Sequence, residues 1–549
     1  MRVGFYWKTS ALTLCLMALA AANSLAASDE RLRTRLEAQS LEGSPYGEQP
    51  LHDVRQLLEF YESRDFERQW THRDGSLNDT GDHLLTVLSN SRYLGLLPQD
   101  YHVDLIQQVS DQEKGSNHGK AIDLELLLTD GLMLYLKHSY QGKVNPREIH
   151  ADWTMDGRTL NRLNTQQGQF TVEKLEAMLA DSEPEHPDYS RLKAYYRQLL
   201  ERTRDNDIDF PPMTGLLKPG SQSPVLASVR QALSQLGINI KTDGNPESFD
   251  EQLKRGLMQF QQHHGLNDDG ILGQRTYDLL RKIVNGDTST VRANLERWRW
   301  LPTQIASDYL LVNIADFNLR LVRDNETVLS MSAIVGKPFR MTPVMSEKMR
   351  YVVLNPSWSV PYTIASKDLL PKMRSNPDYF RQTGMQVFEN WGQNQRTIDP
   401  ATVDWNKVSA RRFPYHLRQP PGPNNPLGRV KFMFPNPHSV YLHDTNDHSL
   451  FRKGERGFSS GCVRISQPIE LLYEIFRDHP RITRQSLDEI LGQGKETSIT
   501  LHQPLNVYIQ YWTVWIDESG QPVYRNDIYE RDARLLKALN ESWLNKPQE

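Results

Sequence analysis

Apolar residues recur with two different periods along this chain, and the change falls near Tyr309. Val54, Leu57, Leu58 and Tyr61 lie at i, i+3, i+4 and i+7, one face of a helix. Leu124 to Leu136 is apolar nearly all round, which predicts a buried helix, and Gly142 and Pro146 punctuate its end. Phe210-Pro211-Pro212 and Lys218-Pro219-Gly220-Ser221 mark a boundary. A small helical unit follows, with one stripe of Val229, Leu233 and Leu236 and another of Phe249, Leu253, Leu257 and Phe260. From Tyr309 the period is two: Leu310, Val312 and Ile314 alternate with Leu311, Asn313 and Ala315. Leu319–Val322, Val328–Val335 and Tyr351–Leu354 continue as strands, with Asp324-Asn325 as a hairpin turn. The stretch 366–427 breaks this pattern, helical at first and then Pro-rich in RQPPGPNNPLG. It reads as an insertion. Strands resume at Val430–Phe434 and Val440–Leu442, a late strand covers Val507–Trp515, and Arg531–Leu544 reads as a terminal helix.

At 549 residues the chain is too long for one core, so several domains are expected. A net charge of -4 gives no hint of nucleic-acid binding, while 11 Trp and 22 Tyr favour ordered domains and contact with glycan or peptide. Arg2 and Lys8, the apolar run Ala11–Ala22 and the small residues of Ser24-Leu25-Ala26 have the form of a signal peptide cut near Ala26. An uncleaved anchor is the alternative. Export implies an oxidising compartment, where disulfides persist. Yet the chain has only two cysteines, and cleavage would remove Cys15 and leave Cys462 with nothing to pair with.

Cys462 stands in Ser459-Ser460-Gly461-Cys462-Val463-Arg464, and the strand ending in His443-Asp444-Thr445 precedes it by nineteen residues. A thiol is a weak nucleophile until a base takes its proton, and histidine is the natural base near neutral pH. Glycine before the cysteine permits a sharp turn, consecutive amides can face a developing oxyanion, and an arginine can hold a carboxylate. Spacing alone leaves two readings open, a packed thiol beside a strand-end histidine and a Cys–His pair. His438, His443 and His448 lie five apart, which on a strand points neighbours to opposite faces, so no metal is expected. Asp152 and Trp153 read as structural.

Two resemblances sharpen this. Phe260–Leu280, FQQHHGLNDDGILGQRTYDLL, resembles the peptidoglycan-binding helical module, matching F-Q-x-x-x-G-L-x-x-D-G-x-x-G-x-x-T throughout. His263 and His264 are adjacent on a helix and point apart, so they are not read as a metal pair. From about Tyr309 to Glu530 the chain resembles the YkuD-like L,D-transpeptidase catalytic domain. The family's His, then Ser/Thr-x-Gly-Cys-hydrophobic-Arg/Asn, is met by His443 and by Ser459 to Arg464. Many members have His where this chain has Ser460, a departure typical of the large YcbB-like branch. That branch also shows Asn355-Pro356-Ser357-Trp358-Ser359-Val360-Pro361, Val335-Gly336 with Thr342-Pro343, and Tyr441-Leu442-His443-Asp444-Thr445.

The resemblance implies a multidomain α+β protein. Its expected order is a signal segment over 1–26, an α-helical scaffold over 27–215, a three-helix peptidoglycan-binding module over 216–290 and a helical linker over 291–308. A mostly-β catalytic domain follows over 309–530, with an inserted helical cap at 366–427 acting as a lid, then a C-terminal helix over 531–549. It implies a periplasmic cell-wall enzyme acting on peptidoglycan stem peptides, a tetrapeptide donor and a diamino-acid acceptor, beside other cell-wall synthesis proteins. Cys462 is the expected nucleophile forming a thioester, His443 the general base and acid, and the amides of Gly461 and Cys462 the oxyanion donors with the Tyr441 hydroxyl as helper. A backbone carbonyl is expected to orient His443, with Asp444 pointing away. Arg464, Ser460, Trp358 and Asn355 are assigned to the substrate side, Trp358 as the pocket floor and Asn355 as a loop anchor. The product would be a 3→3 crosslink, carbapenems would acylate Cys462, and no cofactor is expected. An L,D-carboxypeptidase or crosslink hydrolase, a protein-to-peptidoglycan attachment enzyme and a non-catalytic wall-binding scaffold are the alternatives.

Overall fold

The computed structural model describes residues 30–42, 51–72, 74–111, 118–158, 169–240, 244–303, 305–389 and 395–542. The expected signal segment and Cys15 lie outside these residues. No helix among the described residues is long and apolar enough to cross a membrane. The chain forms two compact units, one of residues 1–144, 158–197 and 535–549 and one of 145–157 and 198–534.

The first unit is helical. Val54–Glu62 carries the predicted apolar face and is capped by Asp53, whose side chain accepts from the Gln56 N–H. His118–Gln141 contains the all-apolar run, and Leu124, Leu126, Leu127 and Leu128 are fully buried. The same helix buries three polar groups, each satisfied. Glu125 accepts from the amides of Gln69, Trp70 and Thr71. Thr129 accepts from the Trp70 indole. Asp130 receives His52 Nδ1 at 2.5 Å and His102 Nε2 at 2.6 Å. Those separations are of hydrogen bonds, too short for ligands around a shared ion.

The second unit begins with the three-helix module, Val225–Gln235, Glu251–His263 and Gln274–Val284. Buried Gln261 explains why its motif is spelled as it is. Its amide donates to the Ile271 carbonyl at 2.9 Å, and its oxygen accepts from Gly270 N–H at 2.9 Å, where φ is +68°. Helix Thr288–Arg299, expected as a linker, is instead built into the unit. Asn294, Glu296, Arg297 and Arg299 are all buried, Arg297 pairs with Asp532 at 2.6 Å, and Trp298 stacks on Trp512 at 4.5 Å. Its charged residues look like a solvated face in sequence because Asp532 lies far along the chain.

The β domain has nine strands in one sheet: β1 (Tyr309–Asn313), β2 (Asn318–Arg323), β3 (Glu326–Gly336), β4 (Met345–Leu354), β9 (Val430–Met433), β10 (Leu442–His443), β11 (Gly457–Ser459), β12 (Val463–Ile465) and β13 (Thr497–Gln510). The order is β11-β3-β12-β10-β9-β4-β13-β1-β2, and antiparallel pairing of β2 with β3 closes it on itself. Asp324 and Asn325 make the β2–β3 turn at φ +50° and +65°, as their side chains allow. The predicted late strand divides into β13 and β14 (Val514–Ile516), and β14 pairs with β15 (Pro522–Tyr524).

The insertion is not simply helical. Beside short helices Leu370–Ser375 and Tyr379–Thr383 it holds β6 (Gln386–Phe388), β7 (Thr397–Ile398) and β8 (His416–Gln419), which with β5 (Trp358–Ser359) form a four-stranded sheet ordered β5-β8-β6-β7. Runs of two to four residues are too short to display a period. This cap has its own core of Leu369, Met373, Val387, Trp405 and Leu417 among others.

Candidate active site

The parallel register of β10 and β12 brings the motif residues together. Leu442 pairs with Val463 and His443 with Arg464, and Tyr441 accepts from Val463 N–H at 3.1 Å. Strand alternation sends Leu442 and Val463 into the core, where both are fully buried. Tyr441, His443, Cys462 and Arg464 are thereby left on the opposite face. Antiparallel β9 adds Lys431, which pairs with His443 and sets its ammonium 3.9 Å from the centre of the Tyr441 ring. Lys431 has no motif signal, since only the β9–β10 register places it here.

His443 is held by its backbone neighbour. Its Nδ1 lies 2.5 Å from the Asp444 carbonyl oxygen, so Nδ1 carries the proton and Nε2 is the basic nitrogen. The Asp444 carboxylate is engaged elsewhere. It accepts from Arg429 N–H at 2.8 Å and Thr445 N–H at 2.7 Å, and lies 3.3 Å from His448 Nε2. Gly428, at φ +59°, passes so close that a β-carbon there would lie 2.3 Å from that carboxyl group. Burial, then the Arg464 charge and Lys431, push the His443 pKa down to about 3 against the Asp444 carbonyl bond, which raises it.

Cys462 is half-buried, and its Sγ sits 3.9 Å from the Ser439 carbonyl oxygen. Burial pushes its thiol pKa up, opposed by hydrogen bonds from Tyr441 and the charges of Lys431 and Arg464. The resting pair is thus a neutral thiol and a neutral imidazole, with two cations beside them. Burial, then the charge and hydrogen bond of Cys462, drive the Tyr441 hydroxyl far above its ordinary value, so it stays protonated and able to donate.

Several expected residues stand differently. Gly461, at φ +114°, gives its N–H to Ser459 Oγ at 3.1 Å and does not offer it to a substrate. The Cys462 amide has no acceptor among the described residues, and with the Tyr441 hydroxyl it is the donor left for an oxyanion. Ser460 Oγ accepts from Arg340 Nη1 at 2.9 Å. Trp358 packs, partly buried, against the cap core. Asn355, at φ +48°, donates to the Ile490 carbonyl at 3.0 Å and anchors its loop. Arg464 forms no salt bridge among the described residues, and its charge acts on Asp447 as well as on Cys462 and His443. Trp153 is buried edge-on to Trp300 at 4.8 Å, and Asp152 pairs with Arg531. A cavity of about 500 Å³ between Glu251–His263 and the Asp517–Pro522 turn shares no residue with this cluster.

Residues 307–479, which contain this whole constellation, match the L,D-transpeptidase catalytic domain named YkuD. The chain carries an L,D-transpeptidase catalytic domain. Residues 55–195 match the Scaffold domain, and residues 222–280 match the "Putative peptidoglycan binding domain". A Haemophilus influenzae protein named "Putative L,D-transpeptidase" is 34% identical over 248 residues, covering 45% of this chain and 49% of its own. The Mycobacterium tuberculosis protein named N-acetylmuramoyl-L-alanine amidase CwlM is 38% identical over 74 residues, 12% of this chain and 18% of that one. This chain therefore spans about half the length, or less, of these curated relatives. An L,D-transpeptidase structure from Mycobacterium smegmatis covers 38% of this chain and 61% of its own at 13% identity, with a TM-score of 0.19, too low to carry weight. The transpeptidase domain sits in a chain whose helical regions and β-rich C-terminal region make a mixed α+β protein.

Proposed function

We propose that this protein is a peptidoglycan L,D-transpeptidase that forms 3→3 crosslinks through a Cys462 thioester. The observation that carries the reading is the shared face of Cys462 and His443, with His443 Nδ1 on a backbone carbonyl. Cys462 Sγ attacks the carbonyl between the diamino acid and the terminal D-Ala of a tetrapeptide stem, and its proton passes to His443 Nε2. The oxyanion forms between the Cys462 amide and the Tyr441 hydroxyl, in the field of Lys431 and Arg464. The D-Ala nitrogen takes the proton from His443 and leaves. A side-chain amine of a second stem attacks the thioester, gives its proton to His443, and Cys462 departs and is reprotonated. The cap would exclude water, whose attack would make the enzyme a carboxypeptidase.

Arg2 and Lys8 ahead of the apolar run Ala11–Ala22 support export to the periplasm, read by N-terminal sequencing of the mature protein. The function itself is tested by intact mass and by products. One covalent carbapenem adduct is expected on the native protein and none on Cys462→Ala. Purified tetrapeptide stems should yield crosslinked dimers. Tripeptide alone would establish the hydrolase, and a carbapenem adduct persisting in Cys462→Ala would remove this thiol from the mechanism.

A further inference from the structure

The loop from Gly336 to Pro343 is bolted along the nucleophile segment. Lys337 N–H donates to the Ser459 carbonyl at 3.1 Å, and Thr342 Oγ1 donates to the Gly461 carbonyl at 2.8 Å. Thr342 Oγ1 also accepts from Gly336 N–H at 2.9 Å, and Tyr529 OH donates to the Gly336 carbonyl at 2.7 Å. So tightly fixed a loop nevertheless turns apolar side chains to water: Phe339 is 74% exposed and Met341 39%. Between them Arg340 reaches Ser460 Oγ at 2.9 Å, two residues before Cys462. The same Nη1, with Nη2, forks onto both oxygens of Asp368, the Nη2 bond at 3.0 Å. Asp368 belongs to the cap, and its side chain is 40% exposed.

We infer that Arg340 is a receptor for a peptide carboxylate and that Asp368 occupies it as an internal stand-in. A guanidinium fork is shaped for a carboxylate's two oxygens. Its partner here is on the rim in partial contact with water, where an ion pair is weak and open to exchange. Exposed Phe339 and Met341 flank it, as apolar contacts for a peptide's side chains would. An incoming stem peptide carboxylate exchanges with Asp368, so one event seats the substrate beside Cys462 and releases the cap's hold on the nucleophile segment. The identity of the stem peptide rests on the transpeptidase reading; the carboxylate receptor does not.

The test needs no turnover. Chloroacetyl-D-alanine and its C-terminal amide alkylate a thiol identically except for one carboxylate. The ratio of their rates at Cys462 is read by peptide mass on the full chain. Asp368→Asn should raise the acid-to-amide ratio roughly two- to fivefold, the scale of a partly exposed ion pair. Arg340→Gln should lower it by a similar factor, Arg340→Lys should fall between, and the Arg340→Gln/Asp368→Asn double variant should follow Arg340→Gln. An unchanged ratio in Asp368→Asn, or equal changes with both reagents in Arg340→Gln, overturns the receptor. If Arg340→Gln does not fold, Asp368→Asn decides alone. A protein that shows the expected ratios but makes no crosslinks refutes the function and leaves the receptor standing.

Discussion

Two buried histidine sites in this molecule use opposite kinds of partner. In the helical unit, His52 and His102 both bond one carboxylate, Asp130, although the three residues are far apart in sequence. In the β domain, His443 has an aspartate as its immediate neighbour, yet bonds that residue's backbone carbonyl and leaves the carboxylate to others. Burial works to raise the Asp130 pKa, but the charges and N–H groups of His52 and His102 outweigh it and hold the carboxyl well below the usual range. A carboxylate partner makes a charged, locked cluster. A carbonyl partner orients the ring without a counter-charge, so burial and two cations can keep it neutral and ready to accept a proton. Adjacency in sequence says nothing about which arrangement forms.

The sharpest way to break this comparison is to remove one ring from each site. His443→Ala should slow carbapenem acylation by about 10²- to 10⁴-fold, the range of a lost general base. His102→Ala should leave the acylation rate per folded molecule within about threefold, because it removes a packing group and not a proton acceptor for Cys462. Equal losses in the two variants would mean that the helical site takes part in the chemistry.

Removing the shared carboxylate tests the locked cluster by itself. Asp130→Ala leaves two imidazoles and the His52 amide without their acceptor, and should cost about 3 kcal/mol, the low end for a broken buried pair. Hydrogen exchange in His118–Gln141 should quicken by roughly 100-fold at that cost. The folded carboxyl titrates below the unfolded value near 3.9, so its stabilisation is complete above about pH 4 and is lost as pH falls through the folded value. An Asp130→Ala protein with native exchange in that helix would show the cluster to be idle.

How much of this could be read from the chain follows the range of the interactions. His443 and Ser459–Arg464 are legible because each is a local string, and the three-helix module because Gln261 bonds Gly270 and Ile271, nine and ten residues on within one motif. Lys431 was hidden, since only the β9–β10 register brings it to His443. Arg340 was hidden because its value lies in two contacts, Ser460 and Asp368, made across the fold. The Gly461 amide reads as an oxyanion donor in sequence, which does not show that the side chain of Ser459 turns back to take its N–H. The packing of Trp358 on the cap core has no sequence signal, because that core is built with strands too short to display a period.

A smaller effect separates a neutral Cys–His pair from a preformed ion pair. With the His443 pKa near 3 and the Cys462 thiol pushed up, neither group changes charge between pH 5 and 8. The thiolate fraction should then rise about tenfold per pH unit, and alkylation of Cys462 by iodoacetamide should rise with it. Peptide-resolved rates from pH 5 to 8 check this. A plateau below pH 7 would mean that thiolate and imidazolium coexist at rest.

The smallest effect is expected where sequence suggests a large one. His443-Asp444 behind a nucleophilic cysteine invites a Cys–His–Asp triad, in which the carboxylate would steady the charged ring. Here Asp444 steadies its own loop, through the amides of Arg429 and Thr445. Asp444→Asn keeps the backbone carbonyl under His443 Nδ1 and one side-chain acceptor for those amides. It forfeits a charge-assisted hydrogen bond, about 1–2 kcal/mol of local stability. Acylation should change by less than about threefold, since the ring keeps its orienting partner and its tautomer. The measurement is carbapenem acylation of Asp444→Asn beside His443→Ala, with thermal unfolding of both. A loss in Asp444→Asn as deep as in His443→Ala, in a protein that melts normally, would restore the triad and make the carbonyl contact incidental.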